Sequence, residues 1–217
     1  MKIFVDFDDV MFDTKRFYLD FQKVFIRNGI SRSVVERTNR ESRQKNSLNT
    51  SSVYSPWRQL ELMGLPSDKS RDIKKELTES LVDLQKYVFK DVGRLIVNFH
   101  KSSLVILSYG DIKFQGQKIK GSGLTKYFGK IIISKKSKAV VIGKYHAKNG
   151  KESIYFLDDR IEHLEEMKKS DPAVTTMLVR RREGRYKDER SDAGDYAIKN
   201  LNQAVKIINK IKNGSSR

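Results

Sequence analysis

The sequence predicts an α/β protein: a parallel sheet core with helices on both faces and a helical segment inserted after the first strand. Three observations support that expectation. Short apolar runs of strand length recur along the chain, and helical patterns fill several of the gaps between them, as in a sheet buried on both faces. Residues 15 to 92 contain no convincing strand, only amphipathic helical patterns. Three of the apolar runs end in acidic or hydroxyl residues, which a parallel sheet delivers to a single edge.

Taken in order, the first strand lies in "MKIFVDFDDVMFDT", where Ile3–Phe7 runs into Asp6, Asp8, Asp9 and Asp13. The pattern over Phe17–Arg27 is helical, with Phe17, Phe21, Val24 and Phe25 on one side. Residues 37–56 hold few large apolar side chains and read as a loop. Helical periodicity returns over Lys69–Phe89 through Ile73, Leu77, Leu81, Leu84 and Val88. A βα crossover needs only about a dozen residues, so residues 15–92 are expected to be an inserted helical subdomain. The core is then 1–14 and 93–212. It uses runs at Leu104–Leu107, Ile131–Ile133, Ile154–Leu157 and Thr176–Val179, and helices at Lys138–His146, Ile161–Lys169 and Asn200–Ile211. The polar tail, 213–217, reads as flexible.

Composition narrows the class. The 217 residues suffice for one core plus a small insertion, and 11 Phe and 9 Tyr argue against general disorder. The absence of Cys excludes disulfides and cysteine metal sites. The first apolar stretch breaks at Asp6, too early for a signal-peptide core, and no run reaches the length of a membrane span. The expectation is a soluble, cytoplasmic protein with no membrane partner; the sequence is silent on oligomeric state.

The strand ends carry the chemistry. Strand one delivers Asp6 and Asp8, "LVILSYGD" delivers Ser108, and "SIYFLDDR" delivers Asp158 and Asp159. Asp6 and Asp8, two apart, point to one side while the chain stays extended. Carboxylates gathered this closely repel one another unless a cation neutralises them, and all-oxygen ligation suits Mg²⁺.

These residues resemble the haloacid dehalogenase-like (HAD) superfamily, in particular its capped subfamily I phosphatases. The matching pieces are "DFDDV" (Asp6–Val10), Ser108 at a strand end, a lysine ahead of a late helix, and "FLDDR"; "DYAIKNL" (Asp195–Leu201) is similar to the family's final strand and helix. The resemblance extends through most of the chain and implies a Rossmann-like core, with the insertion at 15–92 as the cap. It also implies a Mg²⁺-dependent phosphatase acting on a small phosphorylated substrate, a metabolite or nucleotide. In that scheme Asp6 is the nucleophile that becomes an aspartyl-phosphate, and Asp8 is the acid–base. Ser108 and the adjoining Tyr109 bind the phosphoryl group. The metal site is Asp6, Asp8 through its backbone carbonyl, and Asp159 supported by Asp158. Dehalogenases of the same family need neither the second acid nor magnesium, so the Asp6/Asp8 pair disfavours that chemistry. The motifs leave phosphomutase activity and nucleic-acid end-processing open.

The family's lysine falls within "SKKSKAVVIGK", which offers Lys135, Lys136 and Lys138. Lys138 is preferred because Ser137 is placed to cap the following helix; Lys136 is the alternative. Asp9 and Asp13 read as loop or helix-start acids, His100, His146 and His163 as ordinary surface or boundary residues, and Tyr54 and Trp57 as cap core.

The resemblance does not explain the charge. Lys+Arg number 44 against 27 Asp+Glu, a formal net of +17. Residues 111–151 hold 11 lysines and one acid, Asp111; residues 14–58 hold 10 Lys/Arg against three acids; "VRRREGRYKDER" adds a further cluster. Such patches attract polyanions, nucleic acid included. With no recognition module in the sequence, a solvated surface is the favoured reading.

Overall fold

The computed structural model describes residues 1–43, 53–150, 152–186 and 194–214. Six parallel strands form one sheet: β1 (Lys2–Val5), β2 (Leu104–Tyr109), β3 (Lys130–Ser134), β4 (Ile154–Asp158), β5 (Thr175–Val179) and β6 (Tyr196–Ile198). Their order is β3-β2-β1-β4-β5-β6, so β1 is flanked by β2 and β4, and the three runs with polar ends lie side by side. The α/β class read from the sequence is the one observed.

Alternation along each strand distributes the apolar side chains to two cores. Ile3 and Val5 of β1 join Leu104, Ile106, Tyr155 and Leu157 on one face, while Phe4 joins Val105, Leu107, Ile154 and Phe156 on the other. The second face is covered by α7 (Lys138–Asn149) and α8 (Ile161–Ser170), through residues such as Ile142, Leu164 and Met167. The first is covered by α5 (Val92–Asn98), α6 (Ile112–Gly121) and α9 (Leu201–Gly214). Helix α9 docks through Leu201, Ala204, Val205 and Ile208, and includes Asn213 and Gly214 of the expected tail; residues 215–217 lie outside the described set.

Between β1 and β2 the chain is helical, with α1 (Thr14–Arg27), α2 (Arg32–Ser42), α3 (Pro56–Glu61) and α4 (Ser67–Glu79). The loop expected over residues 37–56 starts later than its composition suggests, because α2 continues through Ser42; positions 44–52 fall outside the described residues. The pattern over Lys69–Phe89 is two pieces: α4 stops at Glu79, and Gln85–Tyr87 is a short 3₁₀ turn. Packing explains the break. Leu84 N–H donates to the Gly121 carbonyl at 2.9 Å. A Cβ on Gly121 would lie 2.0 Å from the Leu81 carbonyl oxygen, so the chain leaves helix geometry to abut the end of α6 where only glycine fits. Among the described residues, no helix is long and apolar enough to cross a membrane.

Candidate active site

The carboxyl edge of β1, β2 and β4 opens into a cavity of about 610 Å³. Asp6, Asp8, Tyr109, Lys138 and Asp159 line it. Ser108 and Asp158 are also brought to this edge but sit beneath the lining, 1% and 0% exposed.

Asp6 and Asp8 reach the cavity by a different route from the extended one expected. β1 ends at Val5, and the chain bends at Phe7. Asp9 takes φ 56°, a left-handed conformation that is uncommon for a residue with a side chain. Its N–H is held by the Phe12 carbonyl at 2.8 Å. Below it, Asp13 caps α1 by accepting from Arg16 N–H at 2.9 Å.

Lys138 is the centre of one charge cluster. Its side chain is 1% exposed, and Nζ lies 2.6 Å from both Asp6 Oδ1 and Asp158 Oδ2. Helix α7 does begin at Lys138 with Ser137 at its N-cap, but the Ser137 hydroxyl makes no capping bond and has no partner. Anchoring by two carboxylates, not the cap, fixes this lysine; Lys135 and Lys136 are exposed. Asp158 is saturated. It also accepts from Arg160 N–H at 2.9 Å and faces His163 Nδ1 at 3.1 Å. His163 is half-buried, at the boundary between surface and core, and its ring supports a buried carboxylate at the cavity wall.

Asp159 contrasts with its neighbour. It is 5% exposed, and its Oδ2 is buried without any hydrogen-bond partner. Burial and the nearby Asp158 and Asp6 push its carboxyl well above the ordinary carboxylate range. Burial likewise raises Asp6 from 3.8 to about 6, against the pull of Lys138. One carboxylate oxygen from each of Asp6, Asp158 and Asp159 lies within 4.8 Å of the others. An orphaned buried oxygen, in an all-oxygen cluster where Asp6 and Asp159 resist ionisation, is what a hard divalent cation would relieve.

Asp8 belongs to a second cluster that the sequence reading missed. Lys118 of α6, 3% exposed, places Nζ 2.5 Å from Asp8 Oδ1. Thr14 donates to the same oxygen at 2.6 Å, and Gln115 Nε2 donates to Asp8 Oδ2 and to Ser108 Oγ, each at 2.7 Å. Although burial opposes ionisation, Lys118 and Arg185 hold the Asp8 carboxyl far below its usual range. Gly110 makes this arrangement possible, because a Cβ there would meet Gln115 Cγ at 2.7 Å. The available signal was spacing: Lys118 falls four residues after Phe114, on the buried face of α6.

The basic cluster after β5 is not the open surface its composition suggests. Arg181 is buried, pairing with both oxygens of Asp91 at 3.0 Å and donating to the Val10 carbonyl at 2.8 Å. Arg185 pairs with Asp9, and Arg182 is exposed. Residues 187–190 of that cluster lie outside the described set.

No family model matches the sequence, and no curated protein matches it. Solved structures do match its fold. A haloacid dehalogenase-like hydrolase from Burkholderia xenovorans is 19% identical with a TM-score of 0.72, covering 94% of each chain. A HAD-hydrolase from Bacillus subtilis bound to magnesium is 14% identical, TM-score 0.61, covering 96% of this chain and 98% of that one. The L-2-haloacid dehalogenase of Xanthobacter autotrophicus is 14% identical, TM-score 0.63, with the same coverage. The resemblance read from four short motifs holds at the level of the whole backbone: this chain has the fold of the haloacid dehalogenase-like hydrolases.

Proposed function

We propose that the chain is a Mg²⁺-dependent hydrolase of small phosphomonoesters. The observation that carries this reading is the contrast at the sheet edge: Asp6 and Asp158 share Lys138, while Asp159 keeps a buried oxygen with no partner. Asp6 and Asp159, with the Asp8 backbone carbonyl, are the residues to hold the metal, and Asp158 orients them from beneath. When bound, Mg²⁺ neutralises charge on the transferring phosphoryl group; the related-fold hydrolase from B. subtilis is described as bound to magnesium.

The chain's own groups divide the remaining work. An Asp6 oxygen attacks phosphorus, the ester P–O bond breaks, and Asp8 gives a proton to the departing oxygen. Water then attacks the aspartyl-phosphate, Asp8 takes its proton, and phosphate leaves with Asp6 restored. Asp8 is held ionised by Lys118 before substrate enters. The phosphoryl charge, arriving beside it, raises its proton affinity, and Asp8 takes up from solvent or from the substrate's phosphate monoanion the proton that it then gives to the leaving oxygen. Tyr109 and Lys138, on the cavity wall, orient the phosphoryl oxygens, and Ser108 supports the site from beneath through Gln115. Dehalogenation, the activity of the X. autotrophicus neighbour, is the competing chemistry, and the Asp8 carboxylate at the cavity argues against it. The test is turnover of p-nitrophenyl phosphate with Mg²⁺, run beside halide release from a 2-haloacid. Release of halide without phosphate would reverse the assignment.

A second reading, polyanion binding, is favoured by one observation. Eight exposed lysines on α6, the turn after it, β3, the loop that follows β3, and α7 make no ion pair with any described residue, and residues 112–150 contain no acid.

A further inference from the structure

The cavity that holds the aspartates extends to the helical segment between β1 and β2, where Arg43, Tyr18 and Tyr54 complete its wall. Five basic side chains line this cavity, and four face carboxylates. Lys118 faces Asp8, Lys138 faces Asp6 and Asp158, Arg160 faces Glu162, and Arg185 faces Asp9. Arg43 faces none among the described residues, and the adjoining segment 44–52 contains no Asp or Glu.

Arg43 is nevertheless held in place. It ends α2, and its Nε donates to Asn39 Oδ1 at 3.2 Å, one turn back. The guanidinium carbon sits 4.7 Å from the Tyr54 ring centroid and 5.7 Å from that of Tyr18. The two rings meet edge to face at 5.8 Å, and Tyr54 also packs edge-on against Phe114 at 5.6 Å. Tyr54 is anchored in turn, its hydroxyl donating to the buried Gln59 Oε1 at 2.7 Å. Gln59 Nε2 continues the network to the Val35 carbonyl at 3.0 Å, on the helix that carries Arg43. A guanidinium stacked on aromatic faces keeps its planar fork for an anion and loses little freedom when it grips one.

We propose that the cavity takes phosphomonoesters whose leaving group ends in a second anionic group, a carboxylate or a phosphate, gripped by Arg43. The inference rests on the phosphatase reading and names the substrate class within it. One end of the substrate meets the aspartates of the sheet edge, and the other meets the cavity's one cation without a carboxylate among the described residues. A volume of about 610 Å³ accommodates a small molecule spanning both. Fork-shaped recognition also predicts that Lys is an incomplete replacement, since an ammonium is a point charge.

The experiment compares ω-phosphonooxy carboxylates of two to six carbons with straight-chain alkyl phosphates of the same lengths. The parent should favour the carboxylated ester at its best length by about tenfold or more in kcat/KM, the scale of a charge-assisted hydrogen-bonded pair. Arg43→Gln should bring that ratio to within about threefold of one, and Arg43→Lys should leave it between the two. No preference in the parent at any length, or a preference that survives in Arg43→Gln, overturns the proposal. If the parent hydrolyses none of these esters and no p-nitrophenyl phosphate, the phosphatase reading falls, and Arg43 is then judged by binding alone. Uncleavable ω-phosphono carboxylates should raise the Tm of the parent more than alkylphosphonates do, and Arg43→Gln should abolish the difference. Equal shifts in the parent overturn the subsite.

Discussion

Lys118 places its ammonium 2.5 Å from Asp8 Oδ1 inside a ring of phenylalanines: Phe7, Phe12, Phe17 and Phe114, each with its centroid 5.3 to 5.5 Å from Nζ. A lysine sealed this way has no solvent to fall back on, and Asp8 is its one carboxylate partner among the described residues. Removing either side of such a pair leaves an uncompensated charge. Lys118→Met, which keeps the volume, should destabilise the protein by about 2 to 4 kcal/mol, at or below the usual range because Asp8 retains 18% side-chain exposure. Adding Asp8→Asn to Lys118→Met should recover part of that loss, since the orphaned carboxylate is then gone. Urea titration of the parent, both single variants and the double variant gives the cycle. Additive losses would mean that the pair is not coupled.

Asp6 makes the apo protein sensitive to pH in a defined direction. Its folded pKa, about 6, is above its ordinary 3.8. A raised carboxyl contributes stability that is fully present below the unfolded value and is lost as pH rises through the folded one. In chelator, stability from this group should therefore decline between about pH 4 and 6, with Asp159 acting in the same sense. Mg²⁺ competes with those protons, so its stabilising effect should grow with pH. Measuring Tm with and without Mg²⁺ at pH 5 and pH 7.5 checks this. An equal or larger metal shift at pH 5 would contradict the proposed ligand set.

The same argument separates stability from activity at Asp6. Asp6→Asn should abolish turnover, because an amide is a very poor nucleophile. In chelator at pH 7.5 it should be as stable as the parent or more so, because the ionised carboxylate is unfavourable there. Asp8→Asn should lower kcat by about 10² to 10⁴-fold, the range for a positioned acid–base group. Phosphate-release assays and thermal melts on the two variants read both quantities. Residual parent-like turnover in Asp6→Asn would remove it as nucleophile.

What the sequence made legible and what it hid divide along physical lines. Strands buried on both faces must be apolar throughout, so Ile3–Val5, Leu104–Leu107 and Ile154–Leu157 stood out, and with them the acids at their ends. The partners of those acids depend on tertiary contacts that no local pattern encodes. Lys118 was one of 11 lysines in residues 111–151, distinguished only by the helix face it occupies. Arg181 and Arg185 read as surface charge because their carboxylates, Asp91 and Asp9, lie 90 and 176 residues away. Lys138 was separable from Lys136 by its place at the start of α7, although the cap invoked for it does not form.

The exposed lysines allow a last test. Lys113, Lys120, Lys126, Lys130, Lys135, Lys136, Lys144 and Lys148 wrap the β3 edge of the sheet and have no acids in the same stretch of chain. A single-stranded oligonucleotide should feel that field, with a log–log salt slope of roughly −0.7 per phosphate neutralised. Specific binding needs more than charge, usually aromatic faces on which bases stack. On this stretch Phe114 and Phe128 are buried, and Tyr127, 39% exposed, is the large aromatic in the open. The expected result is therefore weak binding at physiological salt, with a shallower slope when Lys120, Lys126, Lys130 and Lys135 are changed to Gln. These four lie on the flank of the sheet and do not line the cavity, so phosphate release from small esters should be unchanged in the same variant. A fluorescence-anisotropy titration at two salt concentrations measures the slope. Tight binding that resists salt and prefers one nucleic acid over others would favour the polyanion reading over the small-phosphoester one.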